Sequence, residues 1–153
     1  MRRTIYGALA AAAVIAAFAQ PAGGQLFFDC QVSGGGQLTV ANGDQATFGG
    51  SVSTDRVPQG SEVYIDHGPA TPLRFTALTV TAVVCDPDAR RAEITGTGEV
   101  WTELGTELVA YTIGVFATGS GGDATDTYHI TLSNGYDSGE QPVLRGNIVM
   151  HSP

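Results

Sequence analysis

Residues 92–101 are Ala-Glu-Ile-Thr-Gly-Thr-Gly-Glu-Val-Trp, with apolar or small residues at the even positions and mainly polar residues at the odd ones. Successive side chains of a β-strand point to opposite faces, so this alternation is typical of a strand with one buried and one wet face. Residues 45–52 and 126–134 show the same pattern. Together the three segments predict an antiparallel sheet that is solvated on one side.

Six further segments combine strand-forming residues with flanking turn residues. They are residues 26–32, 37–41, 61–67, 73–85, 108–117 and 143–151. After residue 19 no window repeats apolar residues at helical spacing. The sequence therefore predicts an all-β fold, a single antiparallel β-sandwich or flattened β-barrel of about nine strands.

Two local features predict how these strands connect and bend. Asn42-Gly43 lies between two alternating segments, and this dipeptide accepts the positive backbone angles of a two-residue hairpin turn. We therefore expect the strands on either side of it to pair. Within residues 73–85 the apolar residues move from odd positions, ending at Ala77, to even positions, beginning at Leu78. One extra residue explains this change, so we expect a β-bulge near Ala77.

The start of the chain predicts export. Met1-Arg2-Arg3 is cationic, residues 5–18 are apolar or small, and Ala17-Phe18-Ala19 has the small-x-small pattern of a signal peptidase site. The apolar run is shorter than the roughly 20 residues that cross a bilayer. We interpret residues 1–19 as a cleaved signal peptide and residues 20–153 as one all-β domain with no membrane span. The expected location is secreted or extracellular, with the cell envelope as an alternative.

Charge and composition exclude some partners and chemistries. The chain has 15 acidic residues against seven arginines and no lysine, a net charge of −8. Nucleic acids and anionic membranes would repel such a protein. Without lysine, a Schiff base on an amine side chain is excluded. We expect a monomer, and glycans or proteins are the expected ligand classes.

Two cysteines, Cys30 and Cys85, follow the predicted signal peptide. An even number in an exported protein favours one disulfide, and two separate buried thiols are the alternative. A bond would close a loop of more than fifty residues, which the chain-entropy model values at about 4 kcal/mol. It would tie the first strand after the signal peptide to the middle of the fold.

Several segments together resemble one known family. They are Gly34-Gly35-Gly36-Gln37-Leu38-Thr39-Val40, Ala46-Thr47-Phe48-Gly49, Tyr64-Ile65-Asp66-His67-Gly68, Ala92-Glu93-Ile94-Thr95-Gly96-Thr97-Gly98, Asp126-Thr127-Tyr128-His129-Ile130 and Arg145-Gly146-Asn147-Ile148-Val149-Met150-His151. In order and spacing they are similar to the post-COAP-type domain of exported bacterial proteins. The resemblance implies an all-β secreted or surface domain of unknown activity. Such domains commonly carry one aspartate in the strand before the glycine loop and another after the loop. Asp126 matches the aspartate after the loop, whereas Phe116 and Ala117 occupy the region of the aspartate before it.

Metal binding is considered at two sets of residues. Asp123 and Asp126 lie on or beside a glycine-rich loop, with Asp137 and Glu140 further along, and carboxylates of this kind hold Ca²⁺ in exported domains. Their wide spacing favours solvated loop carboxylates instead. The three histidines, His67, His129 and His151, would suffice for zinc, but none is three or four residues from another, which favours surface histidines. We expect no other cofactor.

Trp101, the only tryptophan, falls on the polar face of its strand. An exposed ring there can stack on a sugar or anchor a protein partner. An isolated exposed aromatic is not a site by itself, so we favour the alternative that the strand twists or bulges after Gly98 and Trp101 caps the edge of the core. No catalytic motif is present, so we favour a non-catalytic surface, matrix or ligand-binding module. The alternative is a small secreted hydrolase using Asp66 and His67. A third option is a barrel whose small residues, Gly96, Gly98 and Gly114, line a cavity for an apolar ligand.

Overall fold

The computed structural model describes residues 30–118 and 126–151. The predicted signal peptide, Asp123 and the glycine-rich stretch at 119–122 lie outside these residues. Within them the chain forms nine strands: β1 Gln31–Thr39, β2 Gln45–Ser53, β3 Gln59–Asp66, β4 Leu73–Asp86, β5 Arg91–Thr102, β6 Gly105–Phe116, β7 Thr127–Leu132, β8 Gln141–Pro142 and β9 Arg145–His151. None of the described segments is a helix with the length and apolarity that a membrane crossing needs.

The nine described strands form one antiparallel sheet in the order β8-β7-β6-β5-β4-β3-β2-β1-β9. The strands therefore follow one another as hairpins, and only the last returns to pair with the first. The pairing of β1 with β2 around Asn42-Gly43 is confirmed, with Thr39 opposite Gln45. The connection, residues 40–44, is longer than a two-residue turn. It is closed by a hydrogen bond of 2.9 Å from the Val40 N–H to the Asp44 carbonyl.

The sheet curls into a half-barrel, and the all-β antiparallel prediction is confirmed. Its concave side holds a core to which each strand from β1 to β7 contributes, together with β9. The segment between β7 and β9 lies along the seam between the two edges of the sheet. There the Asp126 carbonyl accepts the Val143 N–H at 2.8 Å, and the Gln37 carbonyl accepts the Leu144 N–H at 2.8 Å.

The first strand runs through three glycines, where the sequence predicted two separate strands. Residues 37–41 are not a strand of their own, because β1 continues from Gln31 to Thr39. Glycine permits this by allowing close approach. A Cβ on Gly36 would lie 2.7 Å from Val143 Cγ1 and 3.1 Å from Phe48 Cε1. The triple glycine therefore lets the core ring and the seam pack against the strand.

The expected bulge in β4 is confirmed, since the register with β5 shifts between Ala77 and Thr79. A second shift follows between Val80 and Ala82. The predicted change to even positions therefore holds only for Val80, which packs against the core between the two shifts, and beyond the second shift the inward phase returns to odd positions. Leu78 and Val84 are exposed, and Val83 is buried.

Cys30 and Cys85 form a disulfide, with Cα atoms 6.1 Å apart. The bond joins the start of β1 to the end of β4, strands separated in the sheet by β2 and β3. It therefore ties distant parts of the curled sheet together at one end. The alternative of two separate thiols is wrong.

Candidate recognition site at one end of the sheet

Strand β3 directs Tyr64 and Asp66 into the concave side, where both are buried. The Tyr136 hydroxyl donates to Asp66 Oδ2 at 2.7 Å and lies 2.6 Å from the Tyr64 hydroxyl. Asp66 also accepts the Gly68 N–H at 2.9 Å and the Thr71 hydroxyl at 3.3 Å. Burial is the main cause that raises the pKa of both tyrosines, so they stay neutral. The Asp66 carboxylate is thus a hub that joins the β3–β4 loop to the segment after β7.

His67 follows directly but lies on the other side of the strand end. Its ring is exposed, and Nε2 lies 2.9 Å from the Thr47 hydroxyl. Asp66 is buried among Tyr136, Thr71 and the Gly68 amide instead. The two residues considered for hydrolysis are therefore not brought together in one pocket.

Glu62 is the second buried carboxyl of β3, with 6% of its surface exposed. The Tyr128 hydroxyl donates to its Oε1 at 3.1 Å. Burial raises the pKa of Glu62 to about 8, and the hydrogen bond from Tyr128 only partly opposes this. The neighbouring cavity, lined partly by Ile94 and Ile113, is about 10 Å³, which is room for about one water molecule.

The glycines considered for a ligand cavity instead make room for aromatic rings. A Cβ on Gly96 would lie 2.8 Å from the Tyr111 hydroxyl, and the Phe75 ring lies against Gly98. Gly114 is on the outer face, between buried Ile113 and Val115 of β6. The concave side near these residues is therefore packed with side chains.

Asp126 fastens the seam of the half-barrel. Its Oδ1 accepts both the N–H and the hydroxyl of Thr118 at 2.9 Å, and its Oδ2 accepts the Ile148 N–H at 2.9 Å. Thr118 follows β6 and Ile148 belongs to the edge strand β9, so one buried carboxylate joins the connection between β6 and β7 to the opposite edge of the sheet.

Replacing Asp126 by asparagine should destabilise the protein by about 2–3 kcal/mol, since the amide group would face the Ile148 N–H and leave a buried donor unsatisfied. Urea unfolding at neutral pH measures the change. Asp88→Asn is the matched control, because the Asp88 side chain is exposed and makes no hydrogen bond or ion pair with another described residue. Equal losses in the two variants would contradict the role given to Asp126.

The remaining metal candidates are held by nearby protein groups. Asp137 Oδ1 accepts the Gly139 N–H at 2.8 Å and contacts His129 Nε2 at 2.7 Å, which lowers the pKa of Asp137. Glu140 accepts the Thr127 hydroxyl at 2.9 Å and pairs with Arg91 at 3.2 Å; the first of these contacts is the main cause that lowers its pKa. His151 is exposed at the end of β9. Among the described residues no group of three His, Cys, Asp or Glu side chains is placed to hold a metal ion.

An open cleft of about 410 Å³ lies at the end of the sheet opposite the disulfide. Three connections form it: the one between β3 and β4, the β5–β6 hairpin, and the turn after β7. Its lining residues are Thr71, Pro72, Leu73, Thr102, Glu103, Leu104, Asn134, Gly135 and Tyr136. Sequence reasoning missed the cleft, because these residues come from three distant segments. The one local signal is Leu104, an apolar residue at the tip of a hairpin, which is fully exposed.

Trp101 is 54% exposed on the outer face beside this hairpin. It lies opposite Arg74 of β4 and Thr106 of β6. Leu108, one step further along the same face of β6, is exposed as well. The Trp101 ring is therefore solvated, and the favoured interpretation that it caps the edge of the core is wrong.

No protein-family model, curated protein or solved structure matches the chain.

Proposed function

We propose that the protein is an exported, non-catalytic recognition domain that binds a glycan or a protein ligand at the end of the sheet bearing Trp101. The observation that carries the proposal is the joint exposure of Trp101 and Leu104 beside an open cleft of about 410 Å³. Tryptophan is enriched among the residues that dominate binding energy, and clefts of this size hold small ligands or side chains of a partner.

The state of the interior carboxyl groups supports a binding function over a hydrolytic one. Both carboxylate oxygens of Asp66 accept hydrogen bonds from neighbouring donors, and Glu62 is enclosed in the core beside Tyr128. A general acid or base needs access to a substrate proton. The hydrolase alternative with Asp66 and His67 is accordingly the weaker proposal.

Export is part of the proposal. A disulfide is typical of oxidising compartments, and it is consistent with the predicted signal peptide at residues 1–19. The resemblance to post-COAP-type domains points in the same direction, toward a surface or matrix module. Expression of the full chain with its own leader tests this, since the exported product should begin at Gln20 by mass spectrometry.

The emission of Trp101 offers a direct test of binding, because the chain has no other tryptophan. The secreted protein is titrated with soluble cell-wall glycans and with extracellular-matrix proteins while the emission is followed. A saturable shift with one of them supports the proposal, and a flat response to all of them contradicts it.

Trp101→Ala should weaken binding of the ligand found in this way by at least about 30-fold, the effect of losing a 2 kcal/mol hot-spot residue. Its free energy of unfolding should fall by only about 1 kcal/mol, because the ring is 54% exposed and the loss is limited to strand propensity and cross-strand contact. Isothermal titration calorimetry and urea unfolding measure the two quantities. Val57→Ala, another exposed apolar residue at the opposite end of the sheet, is the control and should bind normally.

A further inference from the structure

The polar side chains of the cleft are largely occupied by one another. The Asn134 amide donates to Glu107 Oε2 at 3.3 Å and accepts the Tyr136 N–H at 3.2 Å. The Thr102 hydroxyl accepts the Leu104 N–H at 3.2 Å and donates to the Gly105 carbonyl at 3.5 Å. These groups stabilise the walls of the cleft and have little capacity left for a ligand.

The polar side chains at the floor of the cleft are occupied by hydrogen bonds as well. The Thr71 hydroxyl donates to Asp66 and accepts the Asn42 amide at 3.0 Å, and the Tyr136 hydroxyl donates to Asp66. What remains for contact is apolar: Pro72, Leu73, Leu104 and the Tyr136 ring. A neutral sugar needs hydrogen-bond partners for its hydroxyls, and this surface offers few. An apolar side chain fits it better.

The charge around the cleft is negative. Glu103 lines it and makes no hydrogen bond or ion pair with another described residue. Glu107 lies next to Asn134, and Glu99 is on the same face as Trp101. Arg74, opposite Trp101, offsets one of these three charges, and the lining itself contains no basic residue. An approaching cation is therefore attracted, and the Trp101 ring adds a face on which a guanidinium can stack.

We infer that the cleft binds an extended basic segment of a partner protein, with an apolar side chain of that segment inserted between Leu104 and Tyr136 and a neighbouring arginine or lysine against Glu103 and Trp101. This inference rests on the proposed function and names its ligand class. An anionic membrane is not the occupant, because the net charge of −8 repels it.

A labelled peptide of alternating arginine and leucine is the probe, and fluorescence anisotropy with the secreted protein is the measurement. Glu103→Gln should weaken binding by about 3- to 5-fold, as expected for one partly screened ion pair. Leu104→Ser should weaken it by about 10-fold through lost apolar contact. Glu93→Gln and Val84→Ser make the same changes at exposed positions near the other end of β5 and β4, and they should bind as the natural protein does.

Two altered peptides separate charge from apolar contact. Replacing arginine by glutamate should abolish binding, and replacing leucine by serine should weaken it by about 10-fold or more. The inference is overturned if the glutamate peptide binds equally well, or if Glu103→Gln and Leu104→Ser behave like their controls. It is also overturned if a neutral oligosaccharide binds and displaces the peptide, an outcome that leaves the proposed recognition function intact. Absence of binding by peptides, glycans and matrix proteins alike overturns both.

Discussion

Replacing Glu62 by glutamine is expected to stabilise the protein by about 3 kcal/mol at pH 8 and to give no gain at pH 4. The natural side chain is a carboxyl group enclosed in the core, and burial raises its pKa to about 8 in the folded protein. The chain therefore folds against the tendency of this group to ionise. Glutamine keeps the shape and the acceptor for the Tyr128 hydroxyl but has no proton to lose.

The direction of this pH dependence follows from the number of protons that the folded and unfolded states bind. In the unfolded chain Glu62 ionises above a pKa of about 4.5, whereas in the folded protein it keeps its proton up to about pH 8. Between these values the folded state binds more protons, so its stability falls by up to about 1.4 kcal/mol per pH unit as the pH rises. The loss is complete above the folded pKa. Burial of the glutamine amide in place of the carboxyl group costs about 1 kcal/mol, so the net stabilisation at pH 8 is about 3 kcal/mol.

Urea unfolding of the natural protein and of Glu62→Gln from pH 4 to pH 9 measures this difference. All other titrating groups are common to both proteins, so the difference between the two curves isolates Glu62. Glu93→Gln, at an exposed position, removes the same charge and should run parallel to the natural protein. Parallel curves for Glu62→Gln as well would contradict the buried, protonated carboxyl.

Loss of the disulfide is expected to cost about 4 kcal/mol. Cys30 and Cys85 are 55 residues apart in sequence, and releasing a loop of that length returns this much conformational freedom to the unfolded chain. The double replacement Cys30→Ala/Cys85→Ala avoids a lone reactive thiol. Because a domain of this size has a total stability of only about 5–15 kcal/mol, the loss should be a large share of it.

Thermal and urea unfolding of the double variant measure the loss. Treating the natural protein with dithiothreitol provides the control, since it should lower stability by a similar amount and leave the double variant unchanged. A change below about 1 kcal/mol in the variant, or a response of the variant to the reductant, would contradict a structural disulfide at the end of the half-barrel.

The fold could be predicted from sequence because strand alternation is a local signal. Residues 92–101 and 126–134 show it, and they contain strands β5 and β7, which contribute to the core. The signal was less reliable where tertiary contacts decide the outcome. Gly34 and Gly36 suggested a break, yet close approach of β9 and of the Phe48 ring keeps β1 continuous.

Strand β3 shows a deeper limit of hydrophobic patterns. Its apolar residues Val63 and Ile65 are only half-buried, whereas Glu62, Tyr64 and Asp66 face the core. Two kinds of contact stabilise this inverted phase. The rings of Tyr64 and Tyr128 stack with centroids 6.0 Å apart, and tyrosine hydroxyls donate hydrogen bonds to both carboxyl groups. Partners that lie about seventy residues away in the chain leave no local trace.

The candidate site divides in the same way. The exposure of Trp101 agrees with its place on the polar face of a strand, although capping of the core edge was the favoured interpretation. The cleft did not follow, because Pro72, Leu104 and Tyr136 meet only through the curl of the sheet. The sequence also did not indicate that Asp126 stabilises the seam, because its carboxylate accepts hydrogen bonds from Ile148 of β9 and from Thr118 after β6.

The most direct test of recognition at the Trp101 end is an amide chemical-shift map of the nitrogen-15-labelled secreted protein with the arginine–leucine peptide and, separately, with the glycans. We expect shifts concentrated at residues 71–73, 101–104 and 134–136 with at least one of these ligands. Shifts concentrated at the disulfide end, around residues 54–58 and 87–90, would contradict it.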